Sequence, residues 1–161
     1  MLQVALRIDT RRHRLTGLVD MDARAVVDVE VAQLRRAAGP NVRFLGWLDR
    51  DALREAYQRA AAVLVPNIED FGMVTVEALA CGTPVVGLTA SGTADVVRSG
   101  IEGELAEESG LEALVDATAR ALDRVWDPEV LRHRAEFFSR ERFKVRFAFL
   151  LDRLGFGRAL G

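Results

Sequence analysis

The sequence predicts an α/β domain built on a single Rossmann-like, doubly wound parallel sheet flanked by helices. Three short apolar runs carry this prediction, at residues 41–46, 61–66 and 84–88, and each is bounded by a proline or a glycine. Continuous apolar runs of this length are typical of parallel strands that are buried on both faces. Helical patterns lie between the runs, and such an alternation of strand and helix favours a parallel sheet in one domain.

The helices between these strands have predictable ends. Asp49 or Asp51 is suited to cap a helix that runs to about Ala60, because an aspartate side chain accepts hydrogen bonds from the first turn. A second helix is predicted from about Gly72 to Gly82. Glycine is favoured just after a helix, so the second of these residues is the predicted stop.

Towards the carboxyl terminus the pattern becomes mainly helical. A short helix is predicted after residues 91–93, and Ser109 opens a longer one. The residues of that longer helix predicted to face the core are Leu111, Leu114, Val115, Thr118 and Leu122. Beyond Pro128 the helical pattern continues to about Leu154 with many aromatic residues. Most are predicted to be core and the others to lie on a surface that another domain covers: Phe137, Phe138, Phe143, Phe147, Phe149 and Leu150.

The first 39 residues fit the alternating pattern less well, although we expect residues 1–161 to form a single domain. Residues 2–8 are a predicted strand. Residues 25–29 are a second predicted strand, followed by a helix at residues 31–38. The basic run at residues 11–14 is predicted to be solvated.

Composition argues against several kinds of partner. The formal net charge is −2 and the pI about 5.8, whereas a nucleic-acid-binding domain normally has a basic face and a high pI. Cys81, His13 and His133 are far apart in sequence and predict no metal site, and the cysteine is expected to be a small buried hydrophobic residue. No apolar run approaches the ~20 residues that cross a bilayer, and no signal peptide is evident. We therefore expect a cytoplasmic domain without a transmembrane segment.

Residues 65–86 carry the chemistry that the sequence suggests. A predicted strand ends at Pro66, and a polar loop leads to Gly72, where the next helix begins. Ligands of open α/β sheets bind at the carboxyl ends of the strands, and helix N-termini attract phosphates. Glu69 in the loop and Glu77 on the helix are able to accept hydrogen bonds from two parts of one ligand. Their spacing alone, however, favours an ordinary loop glutamate and a surface helix glutamate.

One string resembles the E-x7-E segment of glycosyltransferase family 4: Glu69-Asp-Phe-Gly-Met-Val-Thr-Val-Glu77-Ala-Leu-Ala-Cys-Gly-Thr-Pro-Val-Val86. Further strings resemble the family's segments on either side of that motif, at residues 40–48, 53–57, 91–97 and 138–143. The resemblance covers about residues 40–147. It implies the carboxyl-terminal, donor-binding half of a retaining GT-B enzyme that uses nucleotide-diphosphate sugars.

The resemblance also implies roles for individual residues. Glu69 corresponds to the glutamate near the donor sugar and is the candidate catalytic residue, and Glu77 corresponds to the glutamate that binds the ribose hydroxyls. The implied donor-binding residues are Glu69, Phe71, Gly72, Met73, Val74, Glu77, Gly46, Trp47 and Leu48. The last three lie in the loop implied to meet the nucleobase, where Trp47 is suited either to stack or to pack half-buried. No metal or cofactor is expected beyond the donor substrate.

Part of the family's pattern is missing. The sequence has no match to the acceptor-binding, amino-terminal domain, so we expect a separate or missing domain as a partner. The arginine and lysine that hold the diphosphate in the family have no counterpart in a matching motif, although Arg7 and Arg14 are among the available cations. The glycine-rich turn expected before Pro40 is absent, and Asp95 stands where the family commonly has glutamate.

Three functions remain open from the sequence. The first is the donor-binding domain of a retaining glycosyltransferase that transfers a hexose to a glycan, lipid or small-molecule acceptor. Such a domain would be inactive alone and peripheral at a membrane only through its partner domain. The second is a non-catalytic interaction or nucleotide-binding domain of the same fold, which the atypical first 39 residues favour. The third, less favoured by the local strings, is a sugar-nucleotide epimerase of GT-B type.

Overall fold

The computed structural model describes residues 2–9, 14–21, 27–107 and 110–156, with side chains from residue 32 onward. Its elements in chain order are β1 (Leu2–Asp9), β2 (Arg14–Met21), α1 (Val27–Ala37), β3 (Val42–Phe44), α2 (Arg50–Arg59), β4 (Ala62–Leu64), α3 (Met73–Ala80), β5 (Val85–Leu88), α4 (Thr93–Val96), β6 (Gly103–Ala106), α5 (Leu111–Leu122), α6 (Pro128–Glu136) and α7 (Arg140–Arg153). The basic residues 11–13 and the predicted cap Ser109 lie outside the described residues.

The strands form one sheet in the order β3-β2-β1-β4-β5-β6. β1 is antiparallel to both of its neighbours, whereas β2 pairs in parallel with β3, and β4 and β6 pair in parallel with β5. Of the strands described, five therefore share one direction and β1, inside the sheet, runs the other way. The predicted α/β fold with helices flanking parallel strands is confirmed. The reversed β1 is a feature that the sequence pattern does not reveal.

Alternate residues of β4 and β5 belong to two separate buried clusters, as the geometry of a strand requires. One cluster joins these strands to α3 and α6, and its buried residues include Val63, Val85, Leu79 and Leu131. The other joins them to α5, and its buried residues include Ala62, Val86, Leu88, Ala117 and Ala121. The apolar runs form these strands because both of their faces are covered by helices.

The predicted helix ends around this core are confirmed. The Asp49 side chain caps α2 by accepting a hydrogen bond from the Ala52 amide at 2.9 Å. Gly82 has φ +80°, the left-handed conformation that ends α3 and that glycine adopts without a steric penalty. Cys81 beside it is half-buried against the core, and this burial raises the pKa of its thiol.

The prediction of a strand at residues 25–29 is wrong for residues 27–29, which belong to α1. The structural reason is topological. β2 and β3 are parallel neighbours, and a parallel pair needs a crossover connection between them, which α1 supplies. The β-propensity of Val27 and Val29 is too weak to outweigh this requirement.

The predicted core face of α5 is also wrong in part. Leu111 and Val115 are 79% and 56% exposed, while Ala117 and Ala121 are buried. The helix is rotated by about a quarter turn from the predicted orientation, given about 100° per residue. It presents alanines to the sheet, and these small side chains let the helix approach the strands closely.

The aromatic tail is divided into two helices, capped by Asp127 and Ser139. The expectation that most of its rings are core is wrong, because Phe143, Phe147 and Phe149 are exposed and none of the residues of α7 is buried. From Ser139 onward the chain leaves the core, so the apolar residues of α7 are not buried, whereas Leu131 of α6 lies in the core and Phe138 packs against it. Within the described residues, no helix is long and apolar enough to cross a membrane.

Replacing Gly103 with alanine is expected to lower the free energy of unfolding by about 3 kcal/mol or more. A Cβ at this position would lie 1.8 Å from the Val85 carbonyl oxygen, so β6 would have to separate from β5. Urea unfolding measures the effect. Gly110→Ala is the control, because the added Cβ meets open space and only a weaker helix cap results. Equal unfolding midpoints for the two variants would contradict the prediction.

Candidate functional site

Two loops with predicted site residues leave the sheet at one edge. From β2 the chain crosses to β3 on one side, and from β4 it winds through β5 to β6 on the other. Because β2 to β6 share a direction, the loops 45–49 after β3 and 65–72 after β4 emerge at their common carboxyl edge. Three strand spacings, about 14 Å, separate these two strands. This is a topological switch point, where open α/β sheets bind ligands.

The loop between β4 and α3 is held against the start of α4. The Gly92 amide donates to the Glu69 carbonyl oxygen at 2.7 Å, and the Glu69 amide donates to the Ser91 hydroxyl at 3.1 Å. A Cβ at Gly92 would lie 2.4 Å from the Asp70 carbonyl oxygen, so this close approach requires glycine. The backbone of Glu69 is therefore fixed by two residues from the loop after β5.

The Glu69 side chain lies at the start of α3, beside Gly72. Gly72 has φ +83°, and its Cβ position would be 3.4 Å from the nearer carboxylate oxygen of Glu69. Within the described part of the chain, both of these oxygens are buried without a hydrogen-bond partner of standard geometry. Burial raises the pKa of Glu69 above its ordinary 4.5, and the neighbouring Thr93 hydroxyl partly offsets the rise. A buried acceptor without donors is rare in proteins, which makes the Glu69 carboxylate a candidate for binding a ligand that donates hydrogen bonds.

Glu77 is exposed on α3 and faces α2. The Tyr57 hydroxyl lies 3.5 Å from one of its carboxylate oxygens, at the long limit of a hydrogen bond. The rest of Tyr57 is buried, and its carbonyl accepts from the Thr83 hydroxyl at 2.7 Å. The sequence does not reveal this contact, because Tyr57 and Glu77 are 20 residues apart.

The predicted site residues at the start of α3 differ in exposure. Phe71 and Met73 are 47% and 57% exposed, whereas the Val74 side chain is buried in the core. Only the backbone of Val74 is therefore available to a ligand. The first N–H groups of an α-helix have no acceptor within the helix, so they suit an anionic group.

The loop after β3 exposes Trp47. Gly46 has φ +67°, which turns the chain, and Leu48 is half-buried before the cap of α2. Trp47 is 77% exposed, so the alternative in which it packs half-buried is wrong. Its indole ring therefore offers a flat apolar surface to solvent at the carboxyl edge of the parallel strands.

An aromatic contact joins the Glu69 loop to the end of α6. The rings of Phe71 and Phe138 meet edge to face, with centroids 6.0 Å apart. Arg134 lies over the Phe138 ring and donates to the carbonyls of Asp95 and Val96 at 2.9 and 2.7 Å. Residues 138–143 resemble a segment of the family, but that resemblance does not reveal the contact between Phe71 and Phe138.

Two cations of the described strands, Arg7 and Arg14, lie toward the other edge of the sheet. Arg7 pairs with Thr16 and Asp9 pairs with Arg14, so β1 ends and β2 begins at the amino end of the parallel strands. Val4 is the residue of β1 that pairs with Leu64, the last residue of β4. The backbone thus carries Arg7 and Arg14 away from the loop that contains Glu69.

Known proteins share this sequence pattern. The sequence profile described as "Glycosyl transferases group 1" matches residues 11–124, more than two thirds of the chain. The chain belongs to the group 1 glycosyltransferases. The resemblance to glycosyltransferase family 4 is confirmed by this match.

The curated relatives that match this chain are much longer proteins. The chain is 43% identical over 108 residues to the phosphatidyl-myo-inositol mannosyltransferase of Mycobacterium leprae. It is 38% identical over 91 residues to the D-inositol 3-phosphate glycosyltransferase of Kribbella flavida. These matches cover 63% and 55% of this chain but only 28% and 22% of those proteins. The chain therefore spans about a quarter of the length of the curated relatives it matches.

Solved structures of glycosyltransferases share its fold. A sucrose-phosphate synthase from Thermosynechococcus elongatus aligns with a TM-score of 0.66 and 27% identity, over 85% of this chain and 37% of the other. The Anabaena HepE protein, solved in complex with UDP and glucose, aligns with a TM-score of 0.51 and 25% identity, over 78% and 40%. The fold is that of one half of a GT-B glycosyltransferase.

Glu69→Gln is expected to stabilise the free chain at pH 7 by less than about 1 kcal/mol, or a degree or two in Tm, because solvent screens this partly exposed side chain. The raised pKa of Glu69 means that the fold favours its protonated form. That stability is complete below pH 4.5 and is lost as the pH rises through the raised pKa, so the variant's advantage should vanish near pH 4. Thermal unfolding at both pH values measures it. The exposed Glu77→Gln serves as control, and a lower Tm for Glu69→Gln at pH 7 would contradict the prediction.

Proposed function

We propose that this chain is the donor-binding domain of a retaining glycosyltransferase and binds a nucleotide-diphosphate sugar across the switch point. The observation that carries the proposal is the buried, unpartnered carboxylate of Glu69 at the carboxyl edge of the sheet. Sugar hydroxyls are the donors that such a carboxylate accepts. Membership of the group 1 family supports glycosyl transfer in general, and the similar HepE structure holds UDP and glucose.

The proposed donor lies along the edge from one loop to the other. The nucleobase stacks on Trp47, and the ribose hydroxyls donate to Glu77 on the side of α3 that faces α2. The diphosphate lies at the start of α3, where Gly72 leaves room for its approach, and the sugar hydroxyls donate to Glu69. The separation of about 14 Å between the two strands suits an extended nucleotide sugar better than a free monosaccharide.

In this proposal the first turn of α3 assists the departure of the diphosphate. Transfer breaks the bond between the anomeric carbon and a diphosphate oxygen, and negative charge develops on that oxygen. The N–H groups of Met73 and Val74 belong to the first turn, which carries a partial positive charge. Backbone donors that are fixed before the reaction stabilise this charge without reorganisation. No metal is needed for this step.

We propose that a separate, amino-terminal type of glycosyltransferase domain binds the acceptor, a hydroxyl of a glycan, lipid or small molecule. The chain matches about a quarter of its curated relatives, so most of a complete enzyme of that length lies outside the matched part. Catalysis requires both substrates to be held in one cleft. We therefore expect donor binding, but no transfer, from this chain alone.

A second candidate function is a non-catalytic nucleotide-binding or interaction domain. It is favoured by the position of Arg7 and Arg14, whose backbone lies toward the edge opposite the Glu69 loop. Diphosphates in proteins are commonly held by cationic side chains as well as by backbone amides. A domain without such cations would bind nucleotides weakly.

Calorimetric titration with UDP, GDP and ADP, and with the matching sugars, tests the donor site. We expect saturable binding of one base type and a loss of about 10-fold to 100-fold in Glu77→Ala, because charged hydrogen bonds to two hydroxyls are removed. Glu112→Ala is the matched control, since Glu112 is also exposed but lies on α5. A folded chain that binds none of these ligands at millimolar concentration would support the second candidate function.

Trp47→Ala is expected to weaken nucleotide binding about 10-fold, and Trp47→Phe much less. Stacking of a base on an aromatic ring contributes about 1–3 kcal/mol, and phenylalanine retains a smaller stacking surface. The same titration measures both variants. Unchanged affinity in Trp47→Ala would place the nucleobase elsewhere, without affecting the role proposed for Glu77.

A further inference from the structure

Two buried threonines lie beside the Glu69 loop, Thr75 in the first turn of α3 and Thr93 at the start of α4. Both residues are 0% exposed, and their hydroxyl oxygens are 3.3 Å apart, within hydrogen-bonding distance. A buried hydroxyl is unfavourable unless it is hydrogen-bonded, and valine has the same shape without that cost. Packing alone therefore does not explain why both positions carry a hydroxyl.

The contact between the two threonines joins different helices. Thr118 on α5 instead donates to the Leu114 carbonyl of its own helix at 2.7 Å, as threonines in helices commonly do. Thr93 is held against β5, because a Cβ at Gly87 would lie only 2.4 Å from the Thr93 methyl group. With its methyl group on β5, Thr93 is able to present its hydroxyl to Thr75.

Both threonines adjoin the Glu69 carboxylate. A Cβ at Gly72 would lie 3.2 Å from the Thr75 hydroxyl oxygen and 3.4 Å from the nearer carboxylate oxygen of Glu69, so these two oxygens line the same small space. The Thr93 hydroxyl also neighbours this carboxylate, and it lowers the pKa of Glu69 against the larger effect of burial. The hydroxyl pair and the carboxylate therefore form one buried polar cluster.

The hydrogens of the pair set the direction of its hydrogen bonds. Two hydroxyls carry two hydrogens, and the bond between them uses one, so one hydrogen is left for a further acceptor. An ionised carboxylate is such an acceptor and donates nothing. Since Thr93 is the threonine that lowers the pKa of Glu69, the remaining hydrogen is assigned to Thr93, and Thr75 donates to Thr93.

We propose that Thr93 is a positioning residue for Glu69, with Thr75 as the donor that orients the Thr93 hydroxyl. The proposal rests on the proposed function, in which Glu69 accepts hydrogen bonds from the donor sugar. In the free chain the approach of Thr93 to Glu69 does not meet the standard geometry of a hydrogen bond. Hydrogen bonds at ligand sites are often poorly aligned before the ligand binds and tighten with it. Thr93 thus keeps the carboxylate ionised and directed without contacting the sugar.

Charged side chains around the loop do not replace this hydroxyl. Asp70 in the loop, Glu77 on α3 and Asp95 on α4 are all exposed, and each is acidic, so none of them favours a second ionised carboxylate. Arg134 of α6 donates to backbone carbonyls of α4 and lies over an aromatic ring. Among the described residues, Thr93 is therefore the group that favours the ionised form of the buried carboxylate.

The pKa of Glu69 in the free chain tests this assignment directly. NMR of the side-chain carboxyl carbon, assigned by comparison with Glu69→Gln, follows it through a pH titration. Thr93→Val should raise the pKa above the wild-type value because the donor is lost, and Thr93→Ser should restore it because the hydroxyl remains. Thr118→Val is the matched control and should leave the pKa unchanged, since that hydroxyl bonds within α5. An unchanged pKa in Thr93→Val would overturn the proposal.

Thr75→Val tests the orienting step without altering Thr93. The pKa of Glu69 should rise less than in Thr93→Val, because Thr93 keeps its hydrogen. Added to Thr93→Val, the second substitution should have no further effect, since the two hydroxyls act in sequence. Additive pKa changes would mean two independent effects and would overturn the proposal. If Thr93→Val does not fold, an unchanged pKa in Thr75→Val overturns it as well.

Donor titration separates this proposal from the proposed function. Calorimetry compares UDP-glucose, GDP-mannose and ADP-glucose, each with its free nucleotide. For the pair that binds, Thr93→Val should retain the nucleotide affinity and bind the nucleotide sugar about 5-fold more weakly at pH 7, as for one lost hydrogen bond. As the pH falls, this variant should lose the sugar at a higher pH than the wild type does, because its Glu69 is protonated earlier.

The outcomes of the two experiments are distinct. An unaltered preference for the nucleotide sugar in Thr93→Val would overturn the positioning role while leaving the donor site intact. Binding of none of these ligands by the folded wild type would reject the donor site. The pKa of Glu69 would then still decide whether Thr93 donates to it, because that measurement needs no ligand.

Discussion

The rest of the structure depends on the burial of β4 and β5 between helices on both faces of the sheet. This burial holds the two strands in parallel register, with Val63 beside Val85, so that the loops after them emerge side by side. The Gly92 amide is thereby brought to the carbonyl of Glu69 at 2.7 Å. The position of the loop that precedes α3 is therefore set by the core beneath it, which lets a short polar segment present a fixed site.

Local signals in the sequence were enough to predict the parts of the fold that depend on neighbouring residues. The buried runs, the Asp49 cap and the stop at Gly82 are of this kind, and the motif string located the Glu69 loop. The reversal of β1 was not predictable, because it depends on pairing between distant segments. The orientation of α5 depends on how closely alanines approach the sheet, which periodicity alone does not measure. The contact between Phe71 and Phe138 joins two remote segments and was missed for the same reason.

Glu69 shows how the proposed function and the stability of the fold oppose one another. Its carboxylate oxygens are buried without partners, and an arrangement of this kind destabilises a protein unless a ligand completes it. Two backbone hydrogen bonds and the close packing of Gly92 against Asp70 hold the loop in place despite this cost. Strained or incompletely bonded groups persist where the surrounding structure determines their position, and such places are commonly functional.

Phe138 connects the Glu69 loop to the carboxyl-terminal helix α7. Phe138 contacts Phe71 in the Glu69 loop and immediately precedes Ser139, the cap of α7. A partner of α7 that favours one placement of Phe138 therefore acts on the loop as well. Thermodynamic linkage requires such an effect to be mutual: if occupancy of α7 changes the affinity of the loop for its ligand by some factor, the ligand changes the affinity of α7 for its partner by the same factor. The contact between the Phe71 and Phe138 rings is thus the physical link between the Glu69 loop and the start of α7.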